Sequence, residues 1–392
     1  MNSPFDNITP RRGTSCVKWD SCDDPEMLPL WVADMDFRAA PCIQQALQRR
    51  LDHGIYGYVK VPESYYDSVI RWFSHRHGWN MEREHILYTS GVIPAIAAIL
   101  QSITKPGDKV MIQTPVYNCF FSLLRNAGNV LVENPLVCKD RYFQIDFEDF
   151  ERKIVEEDVK VFLLCNPHNP VGRVWTREEL TRIGDICLKH NVFVISDEIH
   201  NELVFPGYHY TPYASIKPAF AEHAAVCTSS SKSFNIAGLQ CANITVPDPR
   251  VRAAVDKGIN INETCDVNPF GVVAMQAAYS PEGEEWLGQL MQYIHGNYEY
   301  LCEFFDKHLP QLQVTKSEGT YLTWVNCEAL GMTSVELEQK LRTQAHVWFT
   351  NGQAYNPSGS TFLRINLACP RAILVEALNR FFRFCMTLHV IN

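Results

Sequence analysis

From Ile86 to Val246 the chain repeats one pattern, a short apolar run followed by a stretch with helical spacing. A strand starting at Ile86 runs through Ser90-Gly91 into a helix expected over 95–103. Further strands are expected at 109–113, 130–133, 161–165, 192–196, 226–228 and 242–246, with helices between several of them at 117–126, 176–190 and 249–257. Runs this short and this continuously apolar are covered on both faces, which implies an α/β fold with a mostly parallel sheet flanked by helices. Such a sheet gathers its ligand site at the carboxyl ends of the strands. Gly91, Tyr117, Asn169, Asp197 and Lys232 each follow such an end.

Outside that block the pattern changes. Residues 1–40 are irregular, interrupted by Pro4, Pro10, Pro25 and Pro29, and close on the apolar run Leu30-Trp31-Val32-Ala33-Asp34-Met35-Asp36-Phe37, which must be buried somewhere. Helices are expected over 41–53 and 65–77, separated by the aromatic loop Gly54-Ile55-Tyr56-Gly57-Tyr58. Beyond Pro281 a long helix over 284–308 leads to strands at 312–316, 320–325 and 362–366 and a last helix over 372–388. The expected division is an N-terminal segment, 1–50, contributing to a small domain; a large domain, 51–281; and a small α+β C-terminal domain, 282–392.

A net charge of −9 without any basic run argues against nucleic acid or an anionic membrane as partner and favours a small molecule. The longest apolar stretch, 92–100, is far too short to span a bilayer, and the first residues lack the pattern of a signal peptide, so a cytoplasmic protein is expected. The 14 cysteines, Cys119, Cys165, Cys187, Cys227, Cys241 and Cys302 among them, stand singly in apolar segments with no C-x-x-C pair; they read as reduced core residues. H-E-x-x-H is absent, and no metal site is expected.

Six places carry chemistry. Lys232, after Ser229-Ser230-Ser231, is either a surface lysine in a polar loop or a partly desolvated amine able to hold an aldehyde as a Schiff base. Asp197 either caps the next turn or pairs with a buried cation such as a protonated ring nitrogen. Asn166-Pro167-His168-Asn169-Pro170-Val171-Gly172 fixes a tight turn, from which Asn169 can donate to a phenolate oxygen. Gly91 and Val92 offer backbone N–H groups at a helix start, suited to phosphate. Tyr117 is either core or a platform for a flat ring. Arg364, inside an apolar strand, either reaches the surface or makes a bidentate pair with a carboxylate.

Together these residues resemble fold-type I enzymes that use pyridoxal 5′-phosphate (PLP), the aspartate aminotransferase superfamily, from Leu28 to the final helix. The likeness rests on Ser90-Gly91, Pro115-Val116-Tyr117, the Asn166 to Gly172 turn, Asp197-Glu198, Ser229 to Lys232 and the late Arg364. Within that superfamily Leu30 to Phe37, Tyr88-Thr89-Ser90-Gly91-Val92-Ile93-Pro94-Ala95-Ile96, Asp197-Glu198-Ile199-His200 and Ser231-Lys232-Ser233-Phe234-Asn235-Ile236-Ala237-Gly238 look like the MalY/PatB branch of cystathionine β-lyases and cysteine-S-conjugate β-lyases.

The resemblance implies a seven-stranded sheet in a PLP-binding large domain, and it implies roles. Lys232 would be the Schiff-base lysine and then the base on the substrate Cα. Asp197 would face the pyridine nitrogen, Asn169 the ring hydroxyl, and Tyr117 would stack on the ring. Gly91, Val92 and Ser229 would hold phosphate, Arg364 would clamp the substrate carboxylate, and Ala33 and Tyr56 would touch substrate. Tyr58 would reach a phosphate across the interface of a homodimer. His200 stands where many aminotransferases carry a tyrosine toward the ring oxygen, and Gln240 where they carry a phosphate-binding arginine. Both departures favour a carbon–sulfur β-lyase over an aminotransferase, the nearest rival; a regulatory protein that merely retains PLP is the rival of another class.

Overall fold

The computed structural model describes residues 3–261 and 265–388. At its centre lies a seven-stranded sheet of β1 (Ile86–Thr89), β2 (Lys109–Ile112), β3 (Val130–Glu133), β4 (Val161–Cys165), β5 (Phe193–Asp197), β6 (Ala224–Thr228) and β7 (Ala242–Thr245). Their spatial order is β1-β7-β6-β5-β4-β2-β3, parallel from β6 to β3, with β7 antiparallel to both its neighbours. β4 explains why these runs are apolar throughout. Leu163 and Cys165 pack into one helical layer with Ile96, Leu123 and Val255, while Phe162 and Leu164 pack into the other with Phe150, Leu180 and Phe220.

The strands end within a residue or two of their expected limits, and one shift matters: Asp197 closes β5 instead of following it, in register with Cys165 of β4 and Cys227 of β6. The helix expected from 95 begins at Val92 (Val92–Ile103), because Pro94 falls in the first turn, where a missing N–H forfeits no helical bond. The helix expected from 117 begins at Cys119 (Cys119–Ala127), which leaves Tyr117 on the loop. Elements the sequence pattern passes over include the hairpin Val137–Lys139 with Tyr142–Gln144 and the helices Phe147–Glu156 and Pro269–Ala278. Of the cysteines expected in the core, Cys165, Cys187, Cys227 and Cys241 are buried, whereas Cys119 and Cys302 are only half-buried. Among the described residues no helix is long and apolar enough to cross a membrane.

After the helix Pro281–His308 comes a four-stranded antiparallel sheet, β8 (Gln313–Val314), β9 (Leu322–Asn326), β10 (Thr350–Asn351) and β11 (Phe362–Asn366), in the order β8-β9-β11-β10, followed by the helix Arg371–Thr387. The N-terminal segment reaches both sheets' surroundings. Leu28–Pro29 pairs in parallel with Val347–Trp348, whereas the helix Pro41–His53 lies against Pro269–Ala278. The strap between them, 30–37, is tied down by Asn235 and Asn366. Asn235 accepts from the Met35 N–H and donates to the Met35 and Phe37 carbonyls; Asn366 donates to the Val32 and Asp34 carbonyls.

Candidate active site

In the large sheet the connection leaving β2 runs out to β3, while the one leaving β4 runs the other way to β5. Between β2 and β4 the strand ends therefore splay apart into a crevice, the place where sheets of this kind hold ligands. Tyr117 leaves β2 there and Asn169 leaves β4. The turn carrying Asn169 depends on Gly172, whose φ of +73° favours glycine and whose added Cβ would stand 2.6 Å from Ser317 Oγ.

Asp197 is 3% exposed, and its carboxylate accepts the Ile199 N–H at 3.1 Å. Burial pushes its pKa up to about 7, against the pull of that hydrogen bond and of the Lys232 charge. Such a carboxyl calls for a cationic partner, and among the described residues no salt bridge reaches it. Lys232 is half-buried and ringed by protein. Burial, then the Arg364 charge, lower its pKa, while Asp34 and Asp197 oppose them. Its Nζ donates to the Ala33 carbonyl at 2.7 Å. An amine with a lowered pKa in such a pocket is a nucleophile, and of the two expectations for Lys232 the surface one is excluded.

Arg364 is 4% exposed. Its guanidinium donates to Asn169 Oδ1 at 3.2 Å and to the Trp31 carbonyl at 2.7 Å, and lies 4.7 Å from the centre of the Tyr355 ring. The carboxylate expected as its partner is absent from its hydrogen bonds among the described residues, and its buried Nε makes none. A buried cation without a counter-ion is costly, so the site is built for an anionic ligand group. Because arginine only donates, Asn169 must turn its oxygen to Arg364, which leaves Nδ2 as its donor.

His200 is 3% exposed with Nδ1 unpartnered; burial, with Lys232 and Arg364 nearby, pushes its pKa down to about 3, so the ring is neutral. Tyr117 is mostly buried, and burial raises its pKa and keeps the phenol neutral. Gly91 caps the helix Val92–Ile103 without a side-chain acceptor, so the first N–H groups remain open to an anion. The Ser229 hydroxyl, expected on phosphate, is turned inward: it donates to the Cys241 carbonyl at 2.7 Å and accepts from the Ser231 N–H. Tyr56 and Tyr58 make no hydrogen bond to the lysine among the described residues. The Tyr56 hydroxyl donates to the Leu51 carbonyl and its ring leans on Phe270, while Tyr58 is 97% exposed. Gln240 sits exposed with a φ of +48°.

One member escapes any reading of the sequence. Tyr321 is wholly buried, and its hydroxyl donates at 3.0 Å to the Ala33 carbonyl, the same oxygen that receives Lys232. The only sequence signal is a phenol inside an apolar stretch, which must find a partner when buried.

An amine, a buried carboxyl, an open helix start, an amide donor and a guanidinium without a counter-ion among the described residues form a set that fits PLP with an amino acid beside it. The unpartnered His200 Nδ1 and Arg364 Nε are the structural mark of that fit.

The chain belongs to the aminotransferase class I and II family, whose profile matches residues 25–381. It is 41% identical over 380 residues to cystathionine β-lyase PatB of Bacillus subtilis (strain 168), covering 96% of this chain and 98% of PatB. Its fold matches that of cystalysin from Treponema denticola, which contains pyridoxal 5′-phosphate, with a TM-score of 0.95 at 34% identity over 99% of this chain and 100% of that one. It likewise matches the PLP-bound C–S lyase from Staphylococcus hominis, with a TM-score of 0.91 at 31% identity over 97% and 98% of the two chains.

Proposed function

We propose that this chain is a PLP-dependent carbon–sulfur β-lyase that cleaves L-cystathionine or related cysteine S-conjugates to a thiol, pyruvate and ammonia. The observation that carries the reading is the convergence of Lys232, Asp197 and the counter-ion-free Arg364 on one crevice.

PLP, when bound, supplies an aldehyde for Lys232 and a ring that accepts the electron pair released at the substrate Cα. Arg364 holds the substrate carboxylate in place of the missing counter-ion. Asp197, buried at the end of β5, would keep a proton on the ring nitrogen. The Asn169 Nδ2 would donate to the ring oxygen, the neutral imidazole of His200 would face it, and Tyr117 would cover the ring. Gly91 and Val92 would offer their N–H groups to phosphate, and Ser229 or its neighbour Ser231 a hydroxyl. The Lys232 amine would take the Cα proton, and the electron pair left at Cα would expel the β-sulfur as a thiolate. Ala33 and Tyr56 belong to the substrate surroundings.

The same proposal includes a homodimer. Ile55, Tyr56 and Tyr58 stand exposed on one loop, which suits a second copy whose site Tyr58 would complete. It also includes a cytoplasmic place in sulfur amino acid metabolism and the division of the chain into 1–50, 51–281 and 282–392.

Purified protein given cystathionine with no added 2-oxo acid is expected to release pyruvate and thiol, and to lose that turnover in Lys232→Ala. Turnover strictly dependent on a 2-oxo acid would replace the lyase by an aminotransferase.

A further inference from the structure

The Ala33 carbonyl receives two donors, Lys232 Nζ at 2.7 Å and the Tyr321 hydroxyl at 3.0 Å. It cannot turn away from either. The strap that carries it is held on one side by Asn366, on the Val32 and Asp34 carbonyls, and on the other by Asn235, on Met35 and Phe37. Tyr321 is fixed as well: it is wholly buried just before β9, with its ring edge against His200. A carbonyl oxygen that already accepts one hydrogen bond attracts a second donor less, and the hydroxyl hydrogen brings a positive dipole end to the place where an ammonium would sit.

We propose that Tyr321 is a positioning residue for Lys232: by occupying the Ala33 oxygen it weakens that oxygen's hold on the ammonium and keeps the amine available as nucleophile and base. The groups facing the lysine are Arg364 from β11, Asp34 from the strap, Asp197 from the end of β5, Cys119 from the start of its helix and His200 after β5. Arg364 pushes toward the neutral amine. Asp34, Asp197 and Cys119 push toward the ammonium, and His200 is itself neutral. The Ala33 oxygen acts with the second group, since an ammonium donates more strongly than an amine. Among the described residues Tyr321 is the one other donor on that oxygen, and burial, the largest influence on its own hydroxyl, keeps it protonated and donating.

This inference rests on Lys232 being the cofactor lysine, and the test separates the two ideas. Full-length protein freed of cofactor is mixed with pyridoxal across a pH series. The Schiff base is reduced with borohydride and the labelled fraction at residue 232 is read by peptide mass, with Lys232→Ala as control. In Tyr321→Phe the pH at half-labelling is expected to rise by on the order of half to one unit. The acid limb of kcat for the loaded enzyme should rise with it, while KM stays within about twofold, because Arg364 is untouched. Unfolding midpoints of the two proteins report whether the isosteric change left the fold intact. Labelling at residue 232 with an unshifted or lowered midpoint would overturn the role of Tyr321 and leave the cofactor reading standing. Absence of labelling at residue 232 in the wild type would overturn both.

Discussion

Arg364 donates to Asn169 Oδ1 at 3.2 Å, joining β11 of the small sheet to the loop leaving β4 of the large one. The bond fixes the orientation of the asparagine amide, and it fills only part of the guanidinium's donor capacity. It places Asn169 and Arg364, the proposed contacts of ring and substrate, in direct touch.

Asn169→Asp therefore sets a carboxylate where the amide oxygen now receives Arg364. The two would pair, and a substrate carboxylate would have to compete. KM for cystathionine should rise roughly tenfold to a hundredfold, the scale of a charge-assisted bond, with a smaller change in kcat. Steady-state kinetics beside Asn169→Ala separate competition from loss of the amide: an aspartate no worse than alanine in KM would refute it.

Arg364→Lys keeps the charge but replaces a planar fork with a point donor. One ammonium cannot serve Asn169, the Trp31 carbonyl and two substrate oxygens together. A loss in kcat/KM of about a hundredfold is expected, falling mainly on KM. Near-normal KM would mean that the substrate carboxylate binds elsewhere.

The buried Asp197 gives the cofactor-free protein a pH signature. Its pKa rises from 3.8 unfolded to about 7 folded, so the folded state binds the proton more tightly. The stability it contributes is complete below about pH 4, is lost as pH climbs through 7, and stays lost above. Asp197→Asn removes that loss. At pH 8 the cofactor-free variant should exceed the cofactor-free wild type by on the order of a few kcal/mol, and at pH 4 the gap should close. Denaturant midpoints at the two pH values measure this; a gap that does not change with pH would exclude a buried, raised carboxyl.

How much of this was legible in the sequence follows from the range of the interactions. Apolar runs ending in polar residues marked the strand ends, and with them Asp197, Asn169, Lys232 and Gly91, because a buried parallel sheet imposes that pattern locally. Arg364 stood out as a charge inside an apolar strand. Tyr321 did not, because among the described residues its hydroxyl meets a backbone carbonyl 288 residues away, and no local spacing encodes such a contact. Ser229 is a related case: three serines precede the lysine, and the packing of the Cys241 carbonyl decides which hydroxyl it receives. Pro269–Ala278 was passed over because five of its residues are buried, among them Gly271, Val272 and Met275, leaving little polar face to reveal a helical period.

The strap that brings Ala33 to Lys232 depends on an ion pair with almost no access to water. The Asp36 carboxylate accepts from Lys18 Nζ at 2.8 Å, Arg11 Nη1 at 2.7 Å and Trp19 Nε1 at 2.8 Å, with the Lys18 side chain 0% and that of Asp36 3% exposed. Removing one partner strands the other. Asp36→Ala leaves Lys18 buried beside Asp34 alone, itself already held by Arg11, and should cost about 3–5 kcal/mol of stability. The paired change Lys18→Met with Asp36→Leu removes both charges and should recover most of that loss. Because Ala33 lies only three residues before Asp36, activity should fall in the single variant and partly return in the double. Urea unfolding and cystathionine turnover measured on the same preparations decide it. A loss below about 1 kcal/mol for Asp36→Ala, the value of an exposed pair, would show that water reaches this cluster and that other contacts hold the strap.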